Sequence, residues 1–310
     1  MAKVLKTRQE FVPLVGEYIL LAKTDPLHLK NNFAKVQFNK LLQVVVKEAI
    51  VANGVKTYKD LDEDNLFVFL VRFVRRSMKC GTLSKKLIKF FESDPKIKSN
   101  KSFDFRFRGR ESFKFLQYFP ILIDELKRRV PPSSHPILEV VFYQTLLLRK
   151  LVSLSVRIEE ISSEDAEEMT KIGRQLFKVC CYYDTDITPS MWTFCNVAPV
   201  HCKELLELTG FGLGINTMEG REQKHQQLSK YSAKTTFQDR WPQIFRHEFI
   251  DNIYLKEKGF DTVKYRKRGK KYVPSPGPGQ CVNCCLALCD DSCAWCDSPG
   301  FAKIVSDCGL

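Results

Sequence analysis

Two constellations in this sequence consist of residue types that do chemistry. Near the end of the chain, Cys281 and Cys284 form one Cys-x2-Cys pair and Cys293 and Cys296 a second, with Cys285, Cys289 and Cys308 close by. A Cys-x2-Cys turn aims both sulfurs at one point, so two such turns can place four thiolates around one tetrahedral zinc ion. Seven of the twelve cysteines lie in the last thirty residues, which marks residues 281–310 as a zinc-binding module and leaves the ligand set open among the seven. The second constellation is Met218-Glu219-Gly220-Arg221-Glu222-Gln223-Lys224-His225, where Glu219, Glu222 and His225 recur every three residues and share one face of a helix. A carboxylate fixed in the first turns of a helix is one way to hold a Mg ion for phosphoryl transfer. Asn216 as N-cap with Glu219 three residues on is a capping-box variant, which gives Glu219 a structural role and leaves Glu222 without one.

The elements that must position these groups are mainly helical. Apolar residues recurring at three and four predict helices over Asn32–Asn53, Glu63–Lys79, Leu83–Glu92, Glu111–Arg129, Pro136–Ile161 and Glu164–Tyr183. Ser162 or Ser163 caps the last of these, and Thr188-Pro189 and Pro199 open two shorter helices, the second stopping at Gly210. Phe211-Gly212-Leu213-Gly214 is expected to be a flexible link, and Phe237–Glu257 a final amphipathic helix or helix pair. Phe103 to Arg108 alternates aromatic and polar residues before Gly109, the pattern of a short edge strand. An alternative reading has Arg106, Arg108 and Arg110 lining a phosphate track beside exposed rings. Cys80, Cys180, Cys181, Cys195 and Cys202 read as small buried apolar residues.

The charge balance is 49 Lys and Arg against 36 Asp and Glu, a net +13, which favours a polyanionic partner such as DNA. Lys256–Lys271 concentrates eight of the cations, with Lys264, Arg266, Lys267, Arg268, Lys270 and Lys271 expected on the nucleic acid, and runs into the Pro-Gly linker Pro274–Gly279. The run Val12–Ala22 is short and carries Glu17, so neither a secretory leader nor a membrane span is expected, and the protein is placed inside the cell.

Asn216-Thr217-Met218-Glu219-Gly220-Arg221-Glu222, followed by Lys224, Lys230, Lys234-Thr235-Thr236 and Arg246-His247-Glu248, resembles the C-terminal part of the RNase H-like nuclease domain in the V(D)J recombination-activating protein family and related cut-and-paste DDE transposases. The resemblance implies that Glu222 is the last carboxylate of an Asp-Asp-Glu triad. It implies a second metal ligand at a strand end, for which Asp25, after the apolar stretch Tyr18–Leu21, is the candidate. Pro199-Val200-His201-Cys202 is the counterpart of a helix that contributes to a zinc site in that family, although one histidine stands here where the family has two. Only 24 residues precede Asp25, so a first Asp has no place before it and would have to come from elsewhere in this chain, from a homo-oligomer or from a partner chain.

The expected architecture is therefore mainly α. Residues 1–30 are read as a remnant of RNase H-like strands, 31–187 as an insertion-like helical array, 188–262 as RNase H-like helices carrying Glu222, 263–280 as a basic linker and 281–310 as the zinc module. The expected function is that of a transposase-derived, nuclear DNA-binding protein, N-terminally truncated and inactive alone, with zinc in the tail and Mg or Mn at the carboxylates if catalytic. The competing reading is a non-enzymatic zinc-containing nucleic-acid binder or a helical protein-interaction protein.

Overall fold

The first helix, α1 (Pro26–Glu48), starts at Asp25, whose Oδ1 accepts the Leu27 N–H at 2.9 Å, with Pro26 at the first helical position where its missing N–H costs nothing. The computed structural model describes residues 22–49, 57–93, 107–159, 161–234, 240–257 and 272–310. After α1 come α2 (Leu66–Arg76), α3 (Gly81–Ser93), α4 (Gly109–Lys127), α5 (His135–Ser155) and α6 (Ser163–Tyr183). Then follow the one-turn α7 (Pro189–Trp192), a π-turn over Thr193–Val197, α8 (Ala198–Thr209), α9 (Glu219–Lys234), α10 (Arg240–Glu257) and α11 (Pro299–Asp307). The predicted helices are all present with ends shifted by a few residues, and the mainly α expectation holds.

The few expected short strands are not found among the described residues, where the only extended pairing is two isolated bridges, Gln280 to Ala287 and Cys289 to Ser292. Of the alternating segment before Gly109, the described residues Phe107 and Arg108 are not in a strand. Phe107 is buried between Phe38 and Phe115, with ring centroids at 4.9 and 5.9 Å. Arg108 is the N-cap of α4, and Gly109 is the first residue of that helix rather than a turn. The Glu111 carboxylate accepts the Arg108 N–H at 2.9 Å, so the helix start wins over strand pairing because its orphan donor is satisfied locally. Residues 103–106, including Arg106, lie outside the described residues. Within the segment read as a strand remnant, Pro26–Lys30 is the first turn of α1.

The core sits around α5, whose Leu138, Phe142, Leu148, Leu151 and Val152 are fully or almost fully buried and which packs against α1, α4 and α6. Phe33, Phe38, Leu41, Leu42, Phe115, Phe119 and Leu122 converge on it from α1 and α4. Each such side chain contributes about 1.5–3 kcal/mol by leaving water. Met191, Phe194, Cys195, Cys202 and Leu213 join the same apolar cluster, so the core continues across residue 188 without a break. The approach there is close. A Cβ on Gly173 in α6 would sit 2.3 Å from the Cys195 carbonyl oxygen, so only glycine lets α6 lie against the π-turn.

Gly210 ends α8 in the left-handed conformation at φ 72°, as its position after the last apolar residue predicts. The link expected to be flexible after it is a docked turn. Leu213 is fully buried, the Gly214 N–H donates to the Arg157 carbonyl at 2.9 Å, and a Cβ at Gly214 would stand 2.4 Å from the Val156 oxygen. Asn216 closes a 3-10 turn over Leu213–Asn216 and α9 begins at Glu219, so Asn216 is not the N-cap of that helix. Helices α9 and α10 pack on each other, and α10 leaves Trp241, Phe245 and Phe249 exposed.

Candidate metal centre

The two Cys-x2-Cys pairs meet. The sulfurs of Cys281, Cys284, Cys293 and Cys296 all lie within 4.8 Å of one another, and those of Cys284 and Cys293 are 3.5 Å apart. Four sulfurs on a tetrahedron around zinc stand about 3.8 Å apart when each Zn–S bond is about 2.3 Å, so the cluster has the dimensions of a four-thiolate site. Cys281, Cys284 and Cys293 are buried and Cys296 is partly so, and none of the twelve cysteines is in a disulfide. These four cysteines could hold a metal such as zinc.

The local chain explains how so short a stretch achieves this. The Cys285 N–H donates to the Cys281 carbonyl at 2.8 Å and Cys285 takes φ 66°, the left-handed turn that folds the first pair back on itself. A non-glycine residue there is uncommon and is held by its surroundings. In the second pair the Asp297 N–H donates to the Cys293 carbonyl at 3.0 Å, and the Cys296 N–H donates to the Cys293 sulfur at 3.3 Å. The gap between the pairs is closed by a two-residue hairpin turn. Cys289 and Ser292 exchange both backbone hydrogen bonds at 2.9 Å, and Asp290 and Asp291 both have positive φ, the geometry of a type I′ turn.

The sulfurs are unequal. Cys284 is pulled down to about 6, first by the hydrogen bond from Cys296. The same bond, with burial behind it, pushes Cys296 up, and burial pushes Cys293 up to about 11. The Cys284 proton leaves readily, while burial holds that of Cys293 and the hydrogen bond to Cys284 holds that of Cys296. A divalent cation replaces those protons and removes the repulsion among the thiolates.

A buried cation stands beside the cluster. Arg149 of α5 is fully buried and its Nη2 donates to the Asn283 carbonyl, inside the first Cys-x2-Cys turn, at 2.7 Å. Among the described residues its Nε and Nη1 have no hydrogen-bond partner, and its guanidinium lies 5.0 Å from the centroid of the Phe119 ring. Burial pushes its pKa down, while the Cys285, Cys284, Cys296 and Cys281 sulfurs push it back up. An isolated buried guanidinium is costly, whereas a metal with four thiolates carries two negative charges that offset it. The residues present therefore fit a divalent metal in a four-sulfur site.

The cysteine segment also shares the core of the helices. Trp295 stacks on Phe142 of α5 with centroids 4.4 Å apart, and its Nε1 donates to Asp124 of α4 at 2.8 Å. Lys127 lies 4.6 Å above the same ring. Tyr272 is buried against Phe113 and accepts a hydrogen bond from the buried Lys30 at 3.0 Å, which anchors the chain where it enters the Pro-Gly stretch. Sequence reasoning singled out the four cysteines that cluster but missed Arg149, Asp124 and Tyr272. The signal that could have been used is Trp295, a large ring inside a metal turn that needs both a stacking surface and an acceptor.

The carboxylate candidates behave differently. The Asp25 Oδ1 accepts the Met218 N–H at 3.0 Å as well as the Leu27 N–H, and Oδ2 pairs with His28. Asp25 and the residue just before α9 are thus in contact although 193 residues separate them. Glu222 is in α9, and its side chain lies outside the description. Asp25 is the N-cap of α1, and the apolar stretch Tyr18–Leu21, read as a strand before it, lies outside the described residues. Nearby, the Thr24 N–H donates to the His201 Nδ1 at 3.0 Å and Lys23 pairs with Glu204. Cys202 is buried, and among the described residues the only cluster with metal-ligand geometry is the four-cysteine group.

Arg108 and Arg110 are exposed at the start of α4, whereas Lys264, Arg266, Lys267, Arg268, Lys270 and Lys271 lie outside the described residues. Of the other cysteines, Cys80, Cys180, Cys195 and Cys202 are buried as expected, and Cys181 is exposed, a correction that follows from its place on the outer face of α6. No helix among the described residues is long and apolar enough to cross a membrane. Compared with known protein families, with curated proteins and with solved structures, the chain matches none.

Proposed function

We propose that this chain is a zinc-containing DNA-binding protein derived from a cut-and-paste transposase, catalytically incomplete when alone. The observation that carries the reading is the hydrogen bond between Asp25 and the Met218 N–H, because it joins the two places that the DDE resemblance singles out. Glu222 is the fourth residue of the helix that begins at this contact. In a complete site, Asp25 and Glu222 would bind Mg or Mn for two-metal phosphoryl transfer, and a further Asp would come from a second copy or a partner chain. In this chain both Asp25 oxygens serve as hydrogen-bond acceptors, which favours a binding role over cleavage.

The metal of the cysteine cluster is zinc and its role is structural: it keeps the four sulfurs ionised, so that Arg149 faces their negative charge, and fixes residues 281–310 on α4 and α5. The net charge of +13 supports a nucleic-acid partner and, with it, a nuclear location. The exposed Trp241, Phe245 and Phe249 on α10 favour a second reading, in which the helices bind another protein.

Two measurements on the purified chain decide between them. DNA binding should weaken steeply as salt rises, and a flat response would count against the DNA reading. Metal-dependent nicking of duplex DNA should be absent; nicking that Glu222→Gln abolishes would show that the chain is a complete nuclease and refute the incomplete-site proposal.

A further inference from the structure

The faces of α6 and α8 turned away from the core form a groove of about 550 Å³ that closes against the C-terminal turn at Gly309. Lys171, Arg174 and Lys178 line it from α6, Lys203 faces them from α8, and all four are exposed. The α6 residues are spaced at i, i+3 and i+7 and so form one stripe along the helix, spanning about 10 Å at 1.5 Å per residue. Thr170 and Gln175 add neutral hydrogen-bonding groups, and Glu167 at one end is the only carboxylate side chain in the lining.

Several cations elsewhere on the fold are paired with acids. Lys40 pairs with Asp184, Lys86 with Glu111, Lys127 with Glu139 and Arg157 with Asp165. Among the described residues none of the four groove cations has an ion pair, and Lys178 donates only to the Gly309 carbonyl, at 3.2 Å. Like charges three and four residues apart cost helix stability, so folding itself gains nothing from this stripe.

We propose that this groove binds the phosphate backbone of nucleic acid, through cations other than those the sequence reading assigned to it; the proposal rests on the DNA-binding reading above. A linear array of cations about 10 Å long suits successive phosphates of one strand. The lining contains no aromatic ring for a base to stack on, so contact here positions the strand without reading its sequence. An acidic peptide is the competing occupant. The net charge of the chain and the linear spacing of the stripe favour the nucleic acid.

The experiment measures fluorescence anisotropy of a labelled mixed-sequence duplex with the full chain, as salt is raised from about 0.05 to about 0.2 M. The double variant Arg174→Ala/Lys203→Ala is compared with the exposed control pair Lys59→Ala/Lys85→Ala, with circular dichroism to establish that both keep the fold. The slope of log K against log salt should fall by about two in the groove variant, and affinity at about 0.1 M salt by about 60-fold, with no dependence on sequence. The control should lose much less. Steep binding by the parent with the same slope in the groove variant would overturn the groove and leave the DNA reading standing. A parent chain without salt-dependent binding would overturn both. Polyglutamate binding that the groove variant loses, with its DNA slope unchanged, would assign the groove to an acidic protein and overturn the proposal.

Discussion

Arg149 gives the sharpest test of the metal centre, because substituting it should have opposite effects in the presence and absence of metal. With the metal bound, the guanidinium faces a centre of two negative charges and donates to Asn283, so Arg149→Met loses a buried charge partner and a hydrogen bond. Losing one member of such a pair is expected to cost about 3–5 kcal/mol. That is a shift of roughly 6–20 °C in the melting temperature at about 2–4 °C per kcal/mol for a domain of this size. Without metal, and at a pH of about 5, where Cys284 too is protonated because its pKa is drawn only to about 6, the guanidinium faces neutral thiols with two unbonded nitrogens. Replacing it by an apolar side chain of similar length then removes an unpaired buried charge, and the variant should be more stable than the parent by about 1–4 kcal/mol. The assay is calorimetric melting of parent and variant, each metal-loaded and each stripped by a chelator. Equal shifts of the same sign in both states would refute the argument that Arg149 is the counter-charge of the metal–thiolate centre.

The ligand set makes a second prediction: Cys293→Ser should abolish stoichiometric zinc, measured by mass spectrometry of the purified protein, while the exposed Cys289→Ser should retain it. Zinc binding should release protons and weaken as pH falls, because protons compete for the sulfurs; an affinity independent of pH would exclude thiolate ligation. Asp25→Ala removes the N-cap of α1 and the acceptor for the Met218 N–H, and should destabilise the chain by about 0.5–2 kcal/mol for the cap alone, read by denaturant unfolding. His201 has its pKa lowered first by burial and then by Lys23. The folded chain therefore favours the neutral ring, and its stabilising contribution is present above the unfolded value of about 6.5 and lost as pH falls below it. An NMR titration of His201 should show a midpoint below that value, and a midpoint above it would contradict the contact with the Thr24 N–H.

The sequence by itself determined what is settled within a few residues. Ser162 caps α6 and accepts the Asp165 N–H, Thr188-Pro189 opens α7, Gly210 closes α8, and the two Cys-x2-Cys turns form as spaced. Each of these rests on hydrogen bonds between near neighbours, so residue type and spacing contain the information. The alternating Phe103–Arg108 pattern shows the limit of such reasoning. Period two favours a strand, yet a helix start at Gly109 and the pocket between Phe38 and Phe115 take the end of the segment.

Only the tertiary structure decided which groups stand beside the chemistry. Arg149 reaches the cysteine turn from 134 residues away, Asp124 meets Trp295 across 171, and Asp25 meets Met218 across 193. Nothing in local periodicity encodes those distances, because they depend on which helix faces pack together to bury the most apolar surface. The same packing turned Lys171, Arg174, Lys178 and Lys203 onto one groove, although in the sequence they are ordinary charges on two amphipathic helices. The four cysteines could be read in advance because each Cys-x2-Cys turn is local; the buried cation beside them could not, because it is supplied by the packing of α5.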